Sequence, residues 1–246
     1  MVLFIKKIIN FFRPDLQIFS KKALTHFNDN NEDYKLYLNA ILKTKNLKSN
    51  NFFKEIRFLN LLQLIRYSLT KSETFDFAEC GCWHGHSSFI ISKLIHESSK
   101  NIEFHIFDSF EGLSPETKED KNFSNLSKQQ REKQSKLFAS SEDFLKNNVL
   151  KDFNFFKTYK GWIPTRFNEV KEKKLSFVHI DVDLYEPTFQ SLEFFYPRLV
   201  NGGVIVCDDY NYNEFDGAKK AWDTYFADKE YFINHKNPMG GSFLIK

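Results

Sequence analysis

The sequence predicts an α/β fold: a doubly wound, mostly parallel seven-stranded sheet with an N-terminal helical cap. Three observations predict it. From Phe75 onward, short apolar runs alternate with helical stretches, the pattern of a parallel sheet with crossover helices. Several of those runs end in carboxylates, at Asp108, at Asp181-Val182-Asp183 and at Asp208-Asp209. Residues 1–72 contain no glycine and show a helical period instead.

The elements follow in order. In residues 1–14, Ile5, Ile8, Ile9 and Phe12 share one helical face beside Lys6 and Lys7. This reads as a helix packed on the domain or on a second subunit, with peripheral contact to a membrane as the alternative. The two lysines, with no small-residue cleavage site after them, argue against a signal peptide. Phe52, Phe53, Ile56, Leu59, Leu62 and Leu64-Ile65 recur near the helical period and complete a cap over 1–72. A second domain is expected over 73–246. Its strands are Phe75–Cys80, Ile102–Phe107, Phe153–Thr158, Leu175–Ile180 and Gly203–Cys207. Helices are expected from Ser87 through Ile95, from Pro187 toward Tyr196, and near Ala218–Phe226. Tyr231–Asn234 and Ser242–Ile245 are joined by a short Pro-Met-Gly-Gly segment, which predicts an antiparallel pair. Residues 114–148 are polar and break the alternation, as a solvated insertion with a helix over part of it. They follow the second strand, on the edge where α/β ligands bind, so a substrate lid is the sharper reading.

Composition bounds the function. With 41% hydrophobic, 17% aromatic and 27% charged residues, the chain is neither disordered nor a disulfide scaffold. A net charge of +3 is too mild for a nucleic-acid footprint. Cys80, Cys82 and Cys207 are odd in number and lie in apolar runs, which suits buried thiols in the reducing cytoplasm. No run reaches the roughly 18 apolar residues of a spanning helix, so no stable membrane insertion is expected.

Glu79-Cys80-Gly81-Cys82-Trp83-His84-Gly85-His86-Ser87-Ser88 joins the first strand to its helix. The spacing is Gly-x-x-x-Gly, not the Gly-x-Gly-x-x-Gly of a dinucleotide site. Trp83 and His84 would crowd a pyrophosphate, and Glu79 would repel one. An acid beside the loop suits a cationic ligand without phosphate, such as S-adenosylmethionine (SAM). Asp108 ends the second strand, where a carboxylate can accept both ribose hydroxyls. Ser141 precedes the third strand, within reach of an adenine, although Ser140-Ser141-Glu142-Asp143 also fits a helix cap. The expected cofactor set is Glu79, Gly81, Trp83, His84, Gly85, Ser87, Ser88, Asp108, Ser109, Ser141 and Asp181.

Asp181 and Asp183 end the fourth strand, and Asp208 and Asp209 end the fifth. Parallel neighbours lie about 4.8 Å apart, so these carboxylates converge. They repel one another unless a cation is present, and hard oxygen donors suit Mg²⁺, Mn²⁺ or Ca²⁺. The plainer reading is one helix cap plus solvated acids. A bound cation would lower the pKa of an acceptor hydroxyl, with Asp181 or Asp209 taking the proton. Among the histidines, His179 reads as a core residue, and His235 faces the site in one reading.

These motifs together resemble the macrocin O-methyltransferase (TylF/MycF-type) family. They are Glu79-x-Gly81-x-Trp83-x-Gly85-x-Ser87, Phe107-Asp108-Ser109-Phe110-Glu111-Gly112-Leu113, Gly161-Trp162, Asp181-x-Asp183-Leu184-Tyr185-x-x-Thr188, Tyr196-Pro197-x-Leu199-x-x-Gly202-Gly203 and Asp208-Asp209-Tyr210. The resemblance covers about residues 77–222 and implies a Rossmann-like class I methyltransferase fold. It implies cofactor contacts at Glu79, Gly81, Asp108 and near Ser141, and metal ligands at Asp181, Asp208 and Asp209. The expected reaction is SAM- and metal-dependent methyl transfer to a hydroxyl of a sugar-containing acceptor: a glycan, a nucleotide-sugar precursor or a glycosylated natural product. Alternatives are transfer to a phosphorylated or phosphoramidate group or a small phenol, and a non-catalytic glycan-assembly module. A homo-oligomer is expected. His84 stands where relatives usually carry Arg, and His86 replaces a small residue. Residues 1–72 and 114–135 match weakly, so the family's macrolide specificity does not carry over.

Overall fold

The computed structural model describes residues 32–45, 50–238 and 240–246. The amphipathic stretch at 1–14 lies outside them. Seven strands form one sheet in the order β3-β2-β1-β4-β5-β7-β6. They are β1 (Asp76–Cys80), β2 (Phe104–Asp108), β3 (Phe156–Lys160), β4 (Leu175–Ile180), β5 (Leu199–Cys207), β6 (Ile233–Lys236) and β7 (Ser242–Ile245). The pairs from β3 through β5 are parallel, whereas β5–β7 and β6–β7 are antiparallel. The expected third strand starts later than its apolar run. Phe153 is turned back by its N–H to the Leu150 carbonyl and packs on Phe89 instead.

Helices cover both faces. On one side lie α1 (Glu32–Lys43), α2 (Phe52–Leu69) and α3 (His86–Ser98). Tyr37, Phe58, Leu62 and Ile65 of the first two share an apolar cluster with Phe77, Phe104 and Phe177 of the sheet. Asn51 caps α2 by accepting from the Lys54 N–H, which starts the helix where the periodic apolar residues begin. On the opposite face, α7 (Tyr185–Arg198) and α8 (Asp216–Tyr225) pack Phe195 and Trp222 against Ala78, Val178 and Ile205. Alternation along β1 sends Phe77 to one cluster and Ala78 to the other.

The insertion holds α4 (Lys121–Ser124), α5 (Lys128–Leu137) and α6 (Glu142–Phe144), the last continuing into a π-turn at Leu145–Val149. Helix α5 buries none of its residues and starts with a full capping box between Ser127 and Gln130. The segment is nonetheless fastened down. Asp120 is fully buried and accepts from the Tyr185 N–H at 2.7 Å and the Thr117 N–H at 2.7 Å. Phe123 packs with Leu184 and Phe215 beside it.

Candidate functional site

The strand order reverses between β1 and β4, and a doubly wound sheet binds ligands at the carboxyl ends beside that switch point. The β1 loop emerges there against β4, through Asp181 N–H to Cys80 O at 2.8 Å. Gly81 has φ +78°, and a Cβ there would lie 1.8 Å from the Asp181 carbonyl oxygen. Gly85 has φ +82° and caps α3, and a Cβ there would meet Leu145 Cδ1 at 2.4 Å. Trp83, between them, holds φ +44°, a strained backbone for a bulky residue.

Asp108 holds this loop in shape. Its Oδ2 accepts from the N–H groups of Cys82 at 2.7 Å and Trp83 at 3.2 Å. Its Oδ1 accepts from the Phe110 N–H at 2.6 Å. A carboxylate that accepts several backbone N–H groups is fixed in orientation. Trp83 in turn donates its indole N–H to the Leu137 carbonyl at 3.1 Å, tying the loop to the insertion.

Two cavities meet at this edge. The first is narrow, about 70 Å³, and is walled by Gly81, Asp108, Ser109, Trp162, Ile163 and Asp181. The second, about 580 Å³, lies under the cap and is walled by Lys54, Arg57, Phe58, Asp208, Asp209 and Tyr212. Trp83, Phe138, Asp181 and Asp183 belong to both walls, so a ligand longer than either cavity would lie across them.

The second cavity contains the acidic cluster. Carboxylate oxygens of Asp181, Asp208 and Asp209 lie within 4.8 Å of one another. Burial, then the charge of Asp208, pushes Asp181 up to about 6. Burial and the neighbouring carboxylates also raise Asp183 and Asp209 well above the ordinary range. Asp209 Oδ2 accepts from the Asp183 N–H at 2.8 Å, and Asp183 is held at φ +62°. Crowded, desolvated oxygen donors of this kind fit a hard divalent cation, so Asp181, Asp208 and Asp209 are the residues that would hold one. Arg57 Nη2 lies 3.0 Å from Asp208 Oδ2.

Not every expected residue reaches a cavity. Gly81, Trp83, Ser87, Asp108, Ser109 and Asp181 do, as do Asp208 and Asp209. Glu79 does not. It is fully buried, accepts from the Ser88 hydroxyl, and lies 3.0 Å from His179 Nδ1. Strand alternation turns it into the core with Phe77, where Ser88 and His179 are its partners. His84 packs against Trp83 and Phe144, Gly85 caps α3, and Ser141 caps α6 by accepting from the Phe144 N–H. His235 is exposed on edge strand β6, its ring tilted against that of Phe243. His86 joins the loop to the cap, with its ring 4.3 Å from that of Phe58 and Nε2 3.3 Å from the Tyr37 carbonyl oxygen.

Asn51, Lys54, Arg57 and Phe58 of the cap, and Asn211–Phe215 after β5, were missed by sequence reasoning. The sole signal was two basic residues three apart at the start of α2. A second acidic group, Asp76, Glu103 and His105, lies at the opposite end of the sheet. Lys173 lies 2.8 Å from Asp76, and Lys157 lies 2.5 Å from Glu103, so its charge is already balanced by protein.

The family model of the macrocin O-methyltransferases (TylF) matches residues 51–235. The chain belongs to that family. Among curated proteins, an 8-demethyl-8-(2,3-dimethoxy-alpha-L-rhamnosyl)-tetracenomycin-C 4'-O-methyltransferase of Streptomyces olivaceus is 28% identical over 159 residues. Demethyldecarbamoylnovobiocin O-methyltransferase of Streptomyces niveus is 23% identical over 159 residues. Each match covers 63% of this chain and spans only 60% of the relative's length. Two solved structures share the fold of this family member at TM-score 0.61. The O-methyltransferase NovP is 20% identical, with 76% of this chain and 78% of that one covered. Calicheamicin methyltransferase CalS11 is 14% identical, with 88% and 93% covered. The class I methyltransferase fold is thereby established. No helix of the described residues is long and apolar enough to cross a membrane.

Proposed function

We propose that this protein is a SAM-dependent, divalent-metal-dependent O-methyltransferase acting on a hydroxyl of a sugar-containing acceptor. One observation carries the reading: Asp181 belongs to both cavities, beside Gly81 and Asp108 in one and beside Asp208 and Asp209 in the other. A methyl donor in the first and a hydroxyl in the second would meet at this residue. The Streptomyces olivaceus relative is the 4'-O-methyltransferase of a rhamnosyl compound, which supports a sugar acceptor here.

The chain's own residues divide the work. Gly81 keeps the loop backbone against β4, and Asp108 presents its carboxylate in the narrow cavity, where ribose hydroxyls can donate to it. Trp162 and Ile163 offer that cavity an apolar wall for an adenine. Asp181, Asp208 and Asp209 would hold the cation. When bound, a divalent cation lowers the pKa of a coordinated hydroxyl and polarises its oxygen toward the methyl group. Asp181 or Asp209 accepts the hydroxyl proton on a carboxylate oxygen, and Phe53, Phe58 and Phe215 shield the second cavity with apolar surface.

Calorimetric titration with SAM, followed by transfer of labelled methyl to sugar-bearing acceptors with Mg²⁺ or with EDTA, tests this. Binding of SAM and an EDTA-sensitive product are expected. No binding at millimolar SAM sinks the reading. Full transfer by Asp181→Ala and Asp209→Ala in EDTA removes the metal from it.

A further inference from the structure

Arg57 stands out among the cap residues because it contacts the chemistry directly. Its side chain is 15% exposed and that of Asp208 is 5% exposed, so the pair is almost fully desolvated. The stem runs close past Gly240, where a Cβ would come within 3.2 Å of Arg57 Cδ. Tyr212 lies alongside, with its ring centre 5.9 Å from the guanidinium carbon. The guanidinium is nevertheless incompletely satisfied, because Nε is buried without a hydrogen-bond partner. Arg57 Nη2 occupies a carboxylate oxygen of the group that would hold a divalent cation.

We propose that Arg57 is the built-in counter-ion of the Asp181–Asp208–Asp209 cluster, occupying Asp208 until a divalent cation displaces it. The inference rests on the metal reading above. Crowded buried carboxylates need positive charge, and breaking a buried pair from one side leaves an uncompensated charge. Without a cation, Arg57 supplies part of that charge. A guanidinium and a divalent ion on one buried carboxylate repel each other in this desolvated site, so the two compete for Asp208. Because α2 also brings Phe53, Lys54 and Phe58 to the second cavity, displacing Arg57 transmits metal loading to the wall facing the acceptor. By reciprocity, whatever holds Arg57 on Asp208 weakens metal binding by the same factor.

The test uses the full chain without SAM or acceptor, and Mn²⁺ as the probe. Calorimetry compares wild type, Arg57→Gln, Arg57→Lys and Arg66→Gln, the last removing a cap arginine that pairs with Asp33 instead. Arg57→Gln should bind Mn²⁺ about tenfold or more tightly than wild type, the effect expected from losing a desolvated competitor. Arg57→Lys should show a smaller gain, and Arg66→Gln none. Thermal melting gives a second readout. Arg57→Gln should melt below wild type in EDTA, and the gap should close in saturating Mn²⁺. Unchanged or weaker Mn²⁺ binding in both Arg57 variants overturns the proposal, as does a melting gap that persists in Mn²⁺. If wild type and variants all fail to bind Mn²⁺, the metal reading itself falls, an outcome separate from equal binding.

Discussion

The Cβ that alanine would carry at position 81 falls 1.8 Å from the carbonyl oxygen of Asp181. The loop expected to hold the methyl donor and the strand end expected to hold the metal are therefore in backbone contact. Gly81→Ala must push two strands apart and adopt φ +78° as well. Loss of measurable SAM binding is expected by calorimetry, with about 1–3 kcal/mol of destabilisation in denaturant unfolding.

Asp108 accepts from three backbone N–H groups, and truncating it strands all of them. Asp108→Ala should abolish SAM binding and lower stability by about 1–3 kcal/mol or more, the cost of leaving buried donors unpaired. Asp108→Asn keeps one oxygen and should retain more stability than Ala, while still binding SAM more weakly. Equal SAM affinity in wild type and both variants would remove Asp108 from the cofactor site.

The acidic cluster gives the metal-free protein a pH signature. Burial and the Asp208 charge push Asp181 up to about 6 in the folded chain, from 3.8 as its ordinary value. Between these values the folded state binds more protons at this group than the unfolded state, so its contribution to stability falls as pH rises through that window. In EDTA the Asp181→Asn variant should gain melting temperature relative to wild type as pH rises from about 4 to 6, because buried His86, lowered to about 3, adds the same opposing slope to both proteins. Mn²⁺ affinity should rise over the same interval, because the proton must leave before the cation binds.

His86 fastens the loop to the cap. Burial, then the charge of Lys54, pulls its pKa down to about 3, so the ring is neutral at physiological pH. His86→Ala removes the stack on Phe58 and opens space beside Tyr37. A cost of about 2–4 kcal/mol is expected from a buried ring of this size, measured by denaturant unfolding. Proteolysis within 32–45 should quicken while SAM affinity changes little, since His86 lines the second cavity and not the narrow one.

Much of this was legible in residue order. Leu175–Ile180 and Ser242–Ile245 were read to the residue, because each is a short apolar run bounded by polar or glycine residues. The antiparallel end of the sheet followed from the short segment between its last two runs. Asp181, Asp208 and Asp209 were legible because strand ends in a parallel sheet share one edge, whatever the side chains do. Glu79 was harder. Its place beside the loop suggested a ligand contact, yet period-two alternation turns it to Ser88 and His179. Ser141 was ambiguous between adenine and cap, and its oxygen is taken by the Phe144 N–H.

By itself the sequence determined the sheet, its crossovers and the edge on which the acids gather, since these follow from local periodicity and the handedness of parallel strands. Tertiary structure decided what faces those acids. Helix α2 is over 110 positions from Asp181 and Asp208 in the chain, and no local spacing relates them. Only burial of Phe58, Leu62 and Ile65 against the sheet brings Arg57 to Asp208 and lays Lys54 along the second cavity. The same packing decided that Asp120, read as part of a solvated insertion, would be buried under the start of α7. Side-chain partners across such distances depend on the summed packing of the core, which leaves no period in the chain to read.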